Sequence, residues 1–200
     1  MRNASLSRAD FAGIVIGAVL LGIWGLGFWA RSVSKRRQDE CPYNLRLIQL
    51  AYLTHIADGS SIVSHPQSIE STNGKVLTAA TIFSTFYPTE HGSRNLVCPK
   101  DSRTVVQPRK PLGDENLSYF ISISEIQHDP KALLTGGRNL FPGPGIHRVQ
   151  ARTNWTWNAS MGLHGTNGYV GLVDGSVSFY QNVDYTPHDE ANQGNVILSP

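Results

Sequence analysis

From Phe11 to Ala30 the chain reads FAGIVIGAVLLGIWGLGFWA, 20 residues without a charge or a strongly polar side chain. At about 1.5 Å per residue, a helix of this length spans roughly 30 Å, the thickness of a bilayer's hydrocarbon. A core helix of a globular domain normally shows a polar face, and this run has none. Trp24 and Trp29 lie in its C-terminal half, and Trp29 is placed for the interfacial belt. A secretory signal would have a shorter apolar region, about 7–15 residues, followed by a small-residue cleavage site. Here the run passes directly into Arg31, Lys35, Arg36 and Arg37, which read as a stop-transfer flank. The prediction is a retained single-pass transmembrane helix over 11–30, behind a leader at 1–10. Four basic residues follow the run, against Arg2, Arg8 and the amino terminus before it, partly offset by Asp10. Loop charge alone therefore leans towards a cytoplasmic C-terminal domain.

Beyond the anchor, Leu45, Ile48, Tyr52 and Ile56 recur at three- and four-residue spacing. That predicts an amphipathic helix continuing over 31–58, with Asp58-Gly59 as its stop and Pro42 as a possible kink or new start. The remainder, 59–200, reads as one β-rich globular domain. A second, shorter helix is expected over 75–87, closed by Pro88. Leu117 to Ser124 alternates, with Tyr119, Ile121 and Ile123 on one side and Ser118, Ser122 and Ser124 on the other, which predicts a half-buried strand. Residues 141–145 (FPGPG) read as a loop. In YVGLVDGSVSFY, residues 169–180, two alternating runs flank Asp174-Gly175. That pair favours a two-residue type I′ hairpin, which would put Val170, Leu172, Val177 and Phe179 on one buried face.

The balance of 17 Lys+Arg against 15 Asp+Glu, net +2, is too even to indicate a nucleic-acid partner, and no basic stripe with interleaved aromatics appears. Nineteen Gly and 11 Pro point to a turn-rich domain and away from a helical bundle. Cys41 and Cys98 are the only cysteines, too few for a zinc site by themselves. They are either a disulfide in an oxidising compartment or two buried thiols in a reducing one.

Several short motifs occur in order. Cys41-Pro-Tyr-Asn-Leu-Arg-Leu-Ile follows the anchor, Leu96-Val-Cys-Pro-Lys-Asp stands mid-chain, and Gly136-Gly-Arg-Asn-Leu140 comes next. His164 then precedes Asp174-Gly175 by nine intervening residues, an H-x9-DG pattern. Together with a transmembrane helix running into an amphipathic one ahead of a small antiparallel sheet, these resemble bacterial type IV prepilin-like proteins and pseudopilins. The likeness is to the planctomycete and verrucomicrobial type with a C-terminal H-x9-DG motif. The resemblance implies an α+β fold with the long helix packed on the sheet. It implies a structural, non-enzymatic role in a type II secretion or type IV pilus-like assembly. It also implies an extracytoplasmic globular domain, and with it a Cys41–Cys98 disulfide, against the loop-charge bias. Other pilin-like subunits, platform proteins and the membrane would be the partners. Prepilins carry Gly at the cleavage point and Glu five residues into the mature helix. Counting from Phe11 gives Asp10 and Val15, and counting from Ile14 gives Gly13 and Ala18, so the leader is expected to remain uncleaved.

Candidate chemistry is sparse. The histidines show no zinc-protease spacing, and no nucleophile elbow or phosphate loop is present. His164 with Asp174 could ligate a metal, joined by Asp184, His188, Asp189 or Glu190. The bland reading is that His164 fixes a loop and that Asp174 and Gly175 make a turn. The acidic stretch 184–190 could take calcium through its oxygens or be a solvated loop. Trp155 and Trp157 could form a glycan platform or pack in the core. The sequons at Asn116, Asn154 and Asn158 are expected by chance in a chain this rich in Asn, Ser and Thr. No cofactor is expected. The alternatives to the structural role are a membrane-tethered module binding glycan or calcium, and, more remotely, an anchored hydrolase.

Overall fold

The computed structural model describes residues 8–59, 78–87, 93–123, 129–141, 143–148, 155–181 and 196–200, the side chains of 8–12, 14 and 33–39 excepted. The chain divides into two units, Met1–Asp39 and Glu40–Pro200. The stretch predicted as amphipathic helix, 31–58, contributes residues to both units.

Helix α1, Arg8–Ala57, runs through Pro42 without interruption. Its segment Val15–Ser32 is long and apolar enough to cross a membrane, and none of it is buried. Within the globular unit, Cys41, Leu45, Ile48 and Tyr52 form the buried face of α1, at the spacing that lines one side of a helix. Helix α2, Ala79–Phe86, lies within the 75–87 predicted, of which 75–77 lie outside the described residues. Thr78 caps it by accepting from Thr81 N, and the Asp114 carboxylate accepts from Ala80 N at 2.8 Å, so two of the orphan donors of its first turn are satisfied.

Among the described residues six strands follow: β1 (Tyr119–Ile123), β2 (Leu133–Gly137), β3 (Gly145–Arg148), β4 (Asn167–Leu172), β5 (Val177–Gln181) and β6 (Val196–Ser199). They form one sheet in the order β3-β6-β1-β2-β4-β5, with every neighbouring pair antiparallel. The architecture is α+β. On one face Tyr119, Ile121, Val196 and Leu198 pack with the buried stripe of α1 and with Ile82, Phe83 and Phe86 of α2. Tyr52 meets Phe86 edge-on at 5.4 Å, and burial pushes the Tyr52 hydroxyl up to about 12.

Strand β1 corrects one expectation. Its residues are buried throughout, so the strand is covered on both faces. Phe120, between Ser118 and Ser122 on the second face, gathers Leu133, Phe141, Trp157, Val170 and Ile197 into a second cluster. Phe141, in the stretch predicted as a loop, meets Phe120 edge-on at 4.9 Å and stacks on His147 at 4.7 Å. Trp157 lies flat over Gly168 of β4. A Cβ there would fall 2.0 Å from the indole, so only glycine fits beneath the ring.

The hairpin corrects another. Gly171 pairs with Val177 and Tyr169 with Phe179, one residue out of the predicted register. Leu172 O accepts from Gly175 N at 3.1 Å and Leu172 N donates to Ser176 O at 3.0 Å, so the loop has three residues, Val173 to Gly175. Only Gly175 has positive φ there, at 84°, and Asp174 does not, which excludes type I′ and matches a turn followed by a left-handed bulge residue. The one-residue shift sends the two runs to opposite faces. Val170 joins the second cluster, while Val177 packs on the first and Phe179, half exposed, lies against Tyr169 at 4.8 Å.

Asp174 Oδ1 accepts from Ser176 N at 2.8 Å, an Asx-type contact that closes the loop. Hydrogen bonding from the Ser176 side chain first, and from its amide second, holds the exposed Asp174 carboxyl below its usual range. A Cβ at Gly175 would meet nothing within 4 Å, so the cost of substitution there is conformational. Gly175→Val is therefore expected to lose roughly 1–2 kcal/mol in chemical denaturation, and Asp174→Asn, whose amide oxygen can accept the same bond, to be nearly silent. Equal losses for the two substitutions would contradict this account of the turn.

Candidate functional site

The motifs quoted from separate parts of the sequence converge in the globular unit. Cys41 of α1 and Cys98 are joined in a disulfide, Cα–Cα 5.5 Å, and both are fully buried. One turn on from Cys41, Asn44 Nδ2 donates to Val97 O and to the Tyr119 hydroxyl, each at 3.4 Å. The Cys98 amide donates to Ser118 Oγ at 2.8 Å, and the Ser118 hydroxyl donates onward to Asp101 Oδ2 at 2.7 Å.

Asp101 is the centre of this network. Arg138 grips it with both arms, Nε to Oδ2 at 2.9 Å and Nη2 to Oδ1 at 3.0 Å, and Arg138 also donates to the Met161 carbonyl at 3.1 Å. The carboxylate side chain is wholly inaccessible and the guanidinium nearly so. Burial pushes the Asp101 carboxyl up, but the bonds from Arg138 and Ser118 outweigh it and hold the carboxyl below its usual range. Beside Arg138, Asn139 donates to Gly165 O and Asn167 O, pinning the strand entry that follows His164. Arg103, two residues after Asp101, donates to the carbonyls of Asp114, Leu117 and Pro200.

His164 lies with its Nε2 3.3 Å from Cys98 Sγ and its ring edge-on to Tyr169. Burial first, and the nearby Lys100 second, push its imidazole down to about 4. It is neutral at physiological pH. Asp174 is not beside it: His164 precedes β4 and Asp174 follows it, and six strand residues at about 3.3 Å each put them roughly 20 Å apart. The structure therefore does not assemble the His164–Asp174 metal pair. Among the described residues, the group of ligand-type side chains within reach of one ion is Cys41, Cys98 and His164, whose donor atoms lie within 4.8 Å of one another. Residues Asp184, His188, Asp189 and Glu190, the candidate calcium stretch among them, lie outside the described residues.

The depressed imidazole has a consequence for acid stability. Because the folded value lies below the ordinary imidazole value of about 6.5, the unfolded chain binds more protons between about 6.5 and about 4. Stability should therefore fall as pH drops through that window and lose nothing further from this group below it. The loss should be on the order of 2 kcal/mol after allowing for partial exposure. His164→Gln should flatten that part of the melting-temperature profile. An unchanged slope in the variant would show that the acid sensitivity has another source.

One concavity borders the cluster, and another lies farther along α1. The first, of about 460 Å³, is lined by Asn44, Cys98, Pro99, Asp101 and Arg103. The other, about 760 Å³, runs along α1 with Leu50, Ala51, Phe86, Tyr87 and Arg94 on its walls. Of the two readings of the tryptophans, core packing holds: Trp157 is buried in the second cluster, and Trp155 is partly buried with its ring against Phe141. No protein-family model, curated protein or solved structure matches the chain.

Proposed function

We propose that the chain is a structural, membrane-anchored subunit of pilin-like type, serving a type II secretion or type IV pilus-like assembly. The observation that carries this reading is helix α1. A single helix, Arg8–Ala57, holds both an unburied apolar segment of membrane-spanning length and the stripe built into the core of an antiparallel sheet. A helix used this way suits a subunit whose globular part is held at a bilayer. The meeting of Cys41, Asn44, Cys98, Asp101, Arg138 and His164 in one buried network supports a scaffold role, because most of their polar groups are spent on one another or on backbone. The Cys41–Cys98 disulfide supports an extracytoplasmic setting for the globular unit, where such bonds persist.

After an alkaline carbonate wash the full chain is expected in the membrane pellet, whereas a fragment starting at Arg37 is expected in the soluble fraction. In-membrane cross-linking should capture other membrane-anchored subunits or a platform protein. Recovery of the full chain in the carbonate supernatant would defeat the anchored reading. An anchored chain that yields no adduct with any assembly component would defeat the subunit reading. Intact mass of the extracted protein reports whether the leader is retained.

A further inference from the structure

We propose that Cys41, Cys98 and His164 form a zinc site when the Cys41–Cys98 bond is reduced. Three observations place these groups together. The two sulfurs are already adjacent, and His164 Nε2 stands 3.3 Å from Cys98 Sγ. All three donor atoms lie within 4.8 Å of one another. On a tetrahedral zinc with Zn–S of about 2.3 Å and Zn–N of about 2.0–2.1 Å, a sulfur and a nitrogen sit about 3.6 Å apart and two sulfurs about 3.8 Å. The histidine is therefore near its ligand position in the oxidised protein. The two sulfurs, once unbonded on Cα atoms 5.5 Å apart, need only side-chain rotation to part.

The chemistry of the set selects the ion. Two thiolates and a neutral imidazole are soft and borderline donors, suited to Zn²⁺ and unsuited to Ca²⁺ or Mg²⁺. Lys100 lies close enough to bear on His164, but two thiolates cancel the charge of the ion, so the loaded site presents no net charge to it. The cavity lined by Asn44, Cys98, Pro99 and Asp101 gives an approach to the sulfur side. Asp101 itself is committed to Arg138 and Ser118, which leaves a fourth position for solvent.

In the reductive step, a dithiol gives two electrons and two protons to the sulfur pair and is itself oxidised to a disulfide. Zn²⁺ then displaces the two thiol protons to solvent, and two Zn–S bonds and one Zn–N bond form. The oxidised protein has no thiolates to offer. The lock is thus covalent in an oxidising compartment and metallic in a reducing one, at the same place in the fold.

The test uses the full chain in detergent, reduced and held without oxygen, with Co²⁺ as the probe. The expected result is a thiolate-to-cobalt charge-transfer band that saturates at a single equivalent and is bleached by Zn²⁺, with no band before reduction. His164→Ala should weaken Zn²⁺ binding about tenfold or more, and His164→Asn, which keeps a polar side chain, serves if the alanine variant fails to fold. If reduction loosens the sheet, Zn²⁺ should restore its circular dichroism. The proposal falls if reduced protein gives no charge-transfer band, if the oxidised protein gives the same one, or if the His164 variants bind Zn²⁺ as the parent does. It also falls if reduction unfolds the chain and Zn²⁺ does not restore it.

Discussion

Arg138→Ala is expected to cost the globular unit about 3–5 kcal/mol, the range for removing one partner of a buried ion pair. The Asp101 side chain is fully enclosed, and without the guanidinium its charge would be left with the Ser118 hydroxyl and the Arg103 amide. In a domain of this size such a loss lowers the melting temperature by roughly 10 °C. Arg138→Lys should recover little, because one ammonium cannot hold both carboxylate oxygens and the Met161 carbonyl together. Asp101→Asn should be comparably harmful, since it strands a buried guanidinium. Combining Asp101→Asn with Arg138→Met removes both charges, and the pair should cost less than the sum of the single changes by about 0.5–3 kcal/mol. The pH dependence separates this pair from His164. Asp101 titrates below the usual carboxylate value, so its contribution is complete above about pH 4 and is lost only as pH falls below that. Single variants that melt within a degree or so of the parent and combine additively would mean that the pair is solvated in solution.

That pair marks the limit of what the sequence displays. The apolar run and the 45–48–52 stripe repeat at intervals a helix dictates, so α1 and its buried face can be read without any partner. The same holds for β1, whose alternation shows one buried side. Its second side was hidden because Ser118, Ser122 and Ser124 suggest solvent, and only the fold brings Phe141 and Trp157 onto Phe120. The hairpin was legible as a hairpin, and its register was not. Asp-Gly fits a two-residue turn, but a glycine in the left-handed position also serves a three-residue loop, and the flanking residues satisfy either pairing. What decides is farther away. Val173 N donates to Ala132 O, Asp174 N donates to Pro130 O, and Gln49 of α1 donates to Leu172 O at 2.7 Å. Asp101 and Arg138 stood in quoted motifs, yet nothing local says that an acid and a base that far apart in sequence will meet. Long-range polar pairing carries no period, and neither does the approach of His164 to Cys98.

Reducing the Cys41–Cys98 bond in the absence of metal is expected to remove about 4 kcal/mol, a large part of the 5–15 kcal/mol typical of a folded domain. The magnitude follows from the 57-residue separation that the bond closes, in the view that a cross-link acts by restricting the unfolded chain. The native contacts argue for the same origin. Both sulfurs are fully buried in the first cluster, and two thiols there remain small apolar groups that fill nearly the same space. The native state should therefore change little while the unfolded state gains freedom. A denaturant titration distinguishes this from damage to the core. Freed of its loop, the unfolded chain exposes more surface, so the slope m should rise as the midpoint falls. Replacing both cysteines by alanine should lower stability further, because it adds a cavity to the lost constraint, with no additional change in m. The free-thiol count of the untreated protein under denaturing, non-reducing conditions comes first. A count of two would remove the bond from the native molecule, and with it the main support for placing the globular unit on the oxidising side of the membrane. A bonded protein whose midpoint is indifferent to reduction would mean instead that Asn44, Ser118 and the apolar stripe of α1 already hold Cys41 and Cys98 together unaided.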